Sequence, residues 1–309
     1  INISIYGVDD DTANNTLSNL EHSFSNVNKT WHAWRPSTLS QINYAIANNK
    51  SISVTPHVSE LIILAQTLSE QSGHLFNPSA GKLFELWGFH QDDWFSSRVP
   101  PSQVDIDNWL NHKPSMADIV IKDGVLHSKN SHAKLGFGGF VKGFAVDDAI
   151  ASLQKLGINN ALVNIGGDLR AIGMPGKRPW VIGIRHPRQD GMIASIPLQH
   201  GESVFTSGDY ERFFEFKGSR YPHILDPRTG WPADQAISVT VLHDNASIAD
   251  AAATALFIAG DNWPNVAKKM GILHVMLIKP NGDIELSPKM YQRIKFFNEN
   301  TPRIIKTLD

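Results

Sequence analysis

The chain has 309 residues, 41% of them hydrophobic and 19% charged, enough apolar material to bury a large core. Its 28 Lys and Arg against 30 Asp and Glu leave a formal net charge of -2, which argues against a nucleic-acid or polyanion-binding surface. Cysteine is absent, which excludes disulfides, thiolate metal sites and cysteine nucleophiles together, and no apolar run approaches the ~20 residues of a membrane span.

Taken in chain order, Asn2-Ile-Ser-Ile-Tyr6 alternates as a strand does. It follows directly on Ile1 rather than a methionine, which points to a processed N-terminus and a signal segment removed from view. Leu17, Leu20, Phe24 and Val27 fall at helical spacing behind the polar Asp9-Asp-Asp-Thr12. Val58, Leu61, Ile62, Ala65 and Leu68 do the same behind Pro56, a favoured first-turn residue. Val146, Ala149, Ile150 and Leu153 predict a helix that begins near Lys142-Gly143 and ends at Gly157, and Ser247 to Ala259 predicts another, closed by Gly260. Ala161–Ile165, Val181–Ile184, Ile237–Leu242 and His274–Ile278 are rich in β-branched residues and read as strands. Helices and strands intermix without regular βαβ alternation, so the expected class is α+β, with packed helices and mixed, largely antiparallel sheets. No linker-like change in composition divides residues 1–309, so one domain is expected.

Three stretches carry candidate chemistry. Gly136-Phe-Gly-Gly-Phe-Val-Lys142-Gly143 combines bare backbone with one cation just before a helix, where free amides favour an anion. It matches neither the dinucleotide loop nor the P-loop, and a tight turn packed among Phe137, Phe140 and Phe144 is the alternative. His223-Ile-Leu-Asp-Pro-Arg-Thr-Gly230 sets a histidine before a rigid turn, with Asp226 and Arg228 nearest in sequence to orient its ring. In Ser247-Ile-Ala-Asp250-Ala-Ala-Ala-Thr254 the carboxylate and hydroxyl stand one helical turn apart and can offer oxygens to one hard ion. Ser247-x-x-Asp250 also fits a helix capping box, and caps are commoner than metal sites. On the metal reading Asp250 is an exposed carboxylate of little consequence for stability.

Seven blocks in order are similar to the ApbE-type flavin transferases, the FAD:protein FMN transferases. They are Phe76-Asn-Pro, Leu86-Trp-Gly-Phe89, Gly138-Gly-Phe-Val-Lys-Gly143, Asn164-Ile-Gly-Gly-Asp168, Thr206-Ser-Gly-Asp-Tyr210, His223-Ile-Leu-Asp-Pro-Arg-Thr-Gly230 and Ala249-Asp-x-x-x-Thr254. The resemblance spans nearly the whole chain and turns Asp250 from cap to ligand. It implies Mg²⁺-dependent cleavage of FAD at the pyrophosphate, attachment of FMN through a phosphoester to a threonine of an acceptor flavoprotein of respiratory-complex type, and release of AMP. It implies Asp250, Thr254 and the carbonyl of Gly139 as metal ligands, and Leu75, Phe76, Asn77, Lys142 and Leu225 as cofactor contacts. Trp31 or Trp34 is the implied ring-stacking aromatic, and His223 the base that activates the acceptor hydroxyl. Members are exported, often lipid-anchored at the inner membrane, so a periplasmic location and a lipid anchor preceding Ile1 are implied too.

The chain departs from the family pattern in places. Gly136-Phe-Gly-Gly139 replaces a common Asp-Leu-Gly-Gly, Asn77 stands where aspartate is frequent, Ala253 replaces an occasional further carboxylate, and an N-terminal Met-Gly-Thr stretch is absent. One metal ion rather than two is therefore expected. Two other readings share these residues: a FAD pyrophosphatase that uses water as acceptor, and a periplasmic flavin-binding protein without turnover.

Overall fold

A computed structural model describes residues 1–91, 93 and 98–308. Its helices start where local chemistry allows. Asp9 caps Asp10–Trp31 by accepting the Thr12 N–H at 2.8 Å, and Asp10 and Asp11 sit in the positive first turn. Thr55 caps Pro56–Gln71, whose buried face is Val58, Leu61, Ile62, Ala65 and Leu68, the stripe expected from the spacing.

The main sheet has eight strands. Their spatial order is Asn2–Ile5, Ala161–Ile165, Asp168–Ile172, Ser203–Gly208, Ser238–His243, His274–Ile278, Ile284–Leu286 and Arg303–Ile305. Every neighbouring pair is antiparallel except the last, which is parallel, so the α+β expectation holds. The predicted strand at Val181 lies elsewhere. Val181–Arg185 belongs to a small sheet with Met192–Pro197 in the middle and Lys295–Phe296 on the far side.

Helices Val141–Lys155 and Ala246–Ala259 pack against each other and against strands of the main sheet. The second is nearly all small and apolar: Ala249, Ala251, Ala252, Ala253 and Ala255 are buried, so neighbouring backbone comes very close. Closest is Gly143, where an added Cβ would lie 2.2 Å from the Ala246 carbonyl oxygen. Backbone cannot give way as a flexible side chain can. Gly143→Ala is therefore expected to cost about 3 kcal/mol or more, the upper part of the overpacking range. Urea-denaturation midpoints of the two proteins measure it.

The capping-box reading of Ser247-x-x-Asp250 does not survive. Asn245 is the N-cap, accepting the Ile248 N–H at 2.9 Å. Ser247 instead gives both its N–H and its hydroxyl to the Asp147 carboxylate, at 2.9 and 2.8 Å. Asp250 is left free to face another segment. Among the described residues no helix is long and apolar enough to cross a membrane.

Candidate active site

A cavity of about 850 Å³ opens between the two packed helices, the end of the main sheet and the loop after Ser219–Pro222. That volume lies in the range of sites that take nucleotide-sized ligands. Asn77, Gly139, Lys142, His223, Asp250 and Thr254 all border it. Residues far apart in sequence thus share one cleft, Asn77 and Thr254 being 177 positions apart.

Asp250 and Thr254 stand one turn apart on the Ala246–Ala259 helix. Asp250 is only 5% exposed, which corrects the expectation of an exposed carboxylate. Its Oδ2 accepts the Gly143 N–H at 2.9 Å from the first turn of the facing helix. Burial pushes its pKa up, with Asp147 adding to the rise, while Lys142 and the Gly143 amide oppose it. Thr254 Oγ1 lies 3.4 Å from Ser207 Oγ on the main sheet. A Cβ on Gly139 would stand 3.3 Å from Thr254 Oγ1, so a bare residue there keeps backbone against the hydroxyl. The Asp250 carboxylate and the Thr254 hydroxyl, with the Gly139 backbone close by, are oxygen donors of the kind a hard divalent cation takes. Among the described residues one hydrogen bond reaches the Asp250 carboxylate, at Oδ2, and Oδ1 receives none. Among the described residues no group of three His, Cys, Asp or Glu could hold a metal, so a nitrogen-ligated centre has no candidate.

Lys142 pairs with Asp168 across the cleft. Asp168 is buried and also accepts the Thr206 N–H at 2.9 Å, so it fixes the ammonium against the sheet. It follows the Gly166-Gly167 turn, where both glycines have positive φ and Asn164 Oδ1 accepts the Gly167 N–H at 2.8 Å. The sequence marks this stretch only as one of the family blocks and does not show Asp168 as the lysine's partner. An acid directly after a paired-glycine turn at a strand end was the available signal.

His223 is half-buried, its ring edge-on to Phe89 at 6.3 Å between centroids. Its Nδ1 lies 3.1 Å from the Arg212 carbonyl oxygen, and its backbone N–H donates to the same carbonyl at 3.0 Å. A carbonyl only accepts, so Nδ1 carries the proton and Nε2 keeps its lone pair. Burial, then the neighbouring Arg212 guanidinium, hold the pKa down at about 3, and the neutral imidazole is the resting form.

The ring is oriented by Arg212, not by the expected Asp226 or Arg228. Asp226 is buried and forks onto Arg228 with contacts of 2.7 and 2.9 Å, also accepting the Arg228 N–H at 2.8 Å. Arg228 in turn donates to the Ile258 carbonyl at 3.1 Å, tying the turn to the long alanine helix. Asp226→Ala should thus destabilise by about 0.5–1.5 kcal/mol through the lost hydrogen bonds, since the Arg228 side chain left without its acceptor is largely exposed. Turnover per folded molecule should stay near wild type. Thermal melting beside an active-fraction titration tests both halves.

Of the two candidate aromatics, Trp34 borders the cleft while Trp31 is buried, edge-on to Phe137 at 5.2 Å. Trp34 stacks on His90 with centroids 5.7 Å apart at 27°, and Phe84 stacks on His90 at 6.4 Å and 20°. Burial pushes the His90 pKa down to about 4, and among the described residues its Nδ1 has no hydrogen-bond partner. This stack was not anticipated. Its members are separated by some fifty residues and no local pattern joins them. Leu75, Phe76 and Leu225 line the wall as buried apolar surface. Asn77 holds loops together, donating to the Pro114 carbonyl at 2.9 Å and accepting the Ser79 N–H at 3.1 Å.

Fold and cleft define an α+β protein with a nucleotide-sized site bordered by Lys142, Asp250, Thr254 and a neutral histidine. The chain belongs to the ApbE family, whose model matches residues 1–277. It is similar to the FAD:protein FMN transferase of Rhodobacter capsulatus, with 36% identity over all of this chain and 59% of that one. It is also similar to the FAD:protein FMN transferase of Haemophilus influenzae, with 27% identity over 92% of this chain and 84% of the other. The solved structure of the Thermotoga maritima ApbE protein superposes with a TM-score of 0.84 at 34% identity, covering 94% of each chain. The chain thus spans less than two thirds of the Rhodobacter relative's length.

Proposed function

We propose that this chain is an FAD:protein FMN transferase that moves the FMN part of FAD onto a threonine hydroxyl of an acceptor flavoprotein and releases AMP. The observation that carries the reading is the meeting, in one cleft, of the Gly139–Asp250–Thr254 oxygen corner with the unprotonated Nε2 of His223. Asp250, Thr254 and the Gly139 carbonyl are the groups that would hold a Mg²⁺ ion, which when bound would supply positive charge against the pyrophosphate. The apolar wall of Leu75, Phe76 and Leu225, with Trp34 beyond it, takes the planar rings of FAD. Lys142 meets the phosphates, held in place by Asp168.

At His223 the acceptor hydroxyl gives its proton to Nε2 as threonine Oγ bonds to the FMN phosphorus. The phosphoanhydride bond breaks, and AMP leaves with the bridging oxygen. The bond from Nδ1 to the Arg212 carbonyl keeps the ring from turning during that transfer. An exported, membrane-anchored location goes with this reading, since acceptors of the respiratory type face that compartment.

Incubating the protein with FAD, Mg²⁺ and a threonine-bearing acceptor peptide tests the proposal. Covalent flavin on the peptide with one AMP per transfer supports it. Free FMN and AMP alone mark a pyrophosphatase, and intact bound FAD marks a carrier. A single resting metal ion is expected, because Ala253 cannot ligate and Asn77 is committed to Pro114 and Ser79. Anomalous scattering from Mn²⁺-soaked crystals counts the ions, and two at full occupancy within ~4 Å contradict this.

A further inference from the structure

Strand Val181–Arg185 is an edge of its three-stranded sheet. It pairs with Met192–Pro197 on one side, and among the described residues no strand pairs with the other. The register states which backbone groups face outward. Leu198 N–H donates to the Trp180 carbonyl at 2.8 Å, while Ile182 faces Ile196 and Ile184 faces Ala194. In an alternating antiparallel ladder Trp180, Ile182 and Ile184 therefore turn their backbone groups to the neighbour, and Val181 and Gly183 turn theirs away. The register slips by one after Ile184, and His186 N–H then donates to the Gly191 carbonyl at 3.0 Å, so Arg185 also faces outward.

Val181, Gly183 and Arg185 are also the exposed residues of the strand, so the outward positions are open to solvent. All five strand residues border the cleft that holds His223, Asp250 and Thr254. Natural edges are normally blunted by Lys, Pro or a covering segment. Here Val181 is 61% exposed, Gly183 is bare, and Met192 across the ladder is 54% exposed.

Basic side chains flank the strand at both ends, with Asp190 in the following turn and Glu211 on the cleft wall as the exposed acids nearby. Lys177 and Arg178 are exposed just ahead of the strand and make no ion pair among the described residues. At the other end Arg185 is exposed over the Tyr210 ring, 5.6 Å from its centroid. Arg188 takes both oxygens of Asp209, which cancels that nearby carboxylate.

We propose that the acceptor polypeptide docks as an added β-strand on Val181–Arg185, with acidic residues of the acceptor segment meeting Lys177, Arg178 and Arg185. An extended segment with its hydroxyl residue mid-strand satisfies the three outward backbone positions and runs along the cleft mouth. The inference rests on the transferase reading, but its test does not need transfer to occur.

The probe is a fluorescent peptide of about ten residues with a central threonine, alternating apolar positions and flanking Asp and Glu. Its controls are a version with Lys in place of the acids, and two versions N-methylated on alternate amides, one for each strand register. Binding is read by polarisation, covalent flavin by gel fluorescence and FAD affinity by flavin quenching. The acidic peptide should bind at least tenfold more tightly than the basic one, and only one methylated register should lose that affinity. Val181→Pro removes an outward N–H at the first strand position, where proline is tolerated. It should weaken peptide binding roughly tenfold or more and raise the acceptor KM while FAD affinity stays unchanged. Should that variant misfold, the exposed pair Lys177→Glu and Arg178→Glu gives the second reading, a loss of the acidic peptide's advantage. Wild-type peptide binding by Val181→Pro, indifference to both methylated registers, or no peptide binding at all overturns the docking proposal. Register-dependent binding with no covalent flavin instead keeps the docking strand and overturns the transferase reading.

Discussion

Asp250→Asn is expected to cut FAD turnover by about 10²–10³-fold, the range for losing one preorganised electrostatic contact at a reacting centre. Asparagine keeps the shape and an acceptor for the Gly143 N–H that Asp250 now takes at 2.9 Å. It also removes a buried charge whose desolvation is the first cause of the raised pKa. Stability without metal should therefore match or exceed wild type. Asp250→Ala leaves the Gly143 amide without its acceptor and should cost about 1–3 kcal/mol, so only the asparagine variant separates chemistry from folding. Turnover against Mg²⁺ concentration in chelator-treated buffer, beside thermal melting, is the measurement. Wild-type turnover by Asp250→Asn at limiting Mg²⁺ would remove Asp250 from the cation site.

His223→Ala is expected to lower transfer to the acceptor hydroxyl by about 10²–10⁴-fold, the usual contribution of a positioned base. FAD affinity should stay within a few-fold, because the oxygen corner and the apolar wall do not depend on the imidazole. Wild-type pH dependence carries the same signature. With its pKa held at about 3, His223 in the free enzyme is neutral well below its ordinary 6.5. The kcat/KM profile should thus show no His223 inflection between about pH 5 and pH 8.

The stability effect has a definite sign. Between 6.5 and about 3 the unfolded chain binds a proton that the folded chain refuses. This group's contribution to stability is therefore full above pH 6.5 and is lost as pH falls through that window. His223→Ala should flatten the acid limb of the stability curve. A variant that binds FAD poorly but transfers normally per bound molecule would make His223 a binding residue.

Much of the secondary structure was legible because it is settled within a few residues. The Asp9 and Thr55 caps, the 3–4 spacing from Val58 to Leu68 and the β-branched run Ala161–Ile165 each state their element locally. So does the alanine-rich helix that carries Asp250 and Thr254 on one side. Composition and the ordered blocks were enough to place the chain in its family. What the side chains of the cleft do was not legible in that way. Whether Asp250 caps a helix or faces a cleft depends on Gly143, 107 residues earlier, and on an approach close enough to exclude a Cβ. His223 has its tautomer set by a carbonyl eleven residues away rather than by the acid three residues on. Trp34 rather than Trp31 reaches the cleft because Trp31 is consumed by the core against Phe137. Local sequence determines which elements form, since caps and periodicity act over one or two turns. Burial, partner and protonation state are decided only when distant backbone closes around each group, because desolvation and hydrogen-bond geometry act through space and not along the chain.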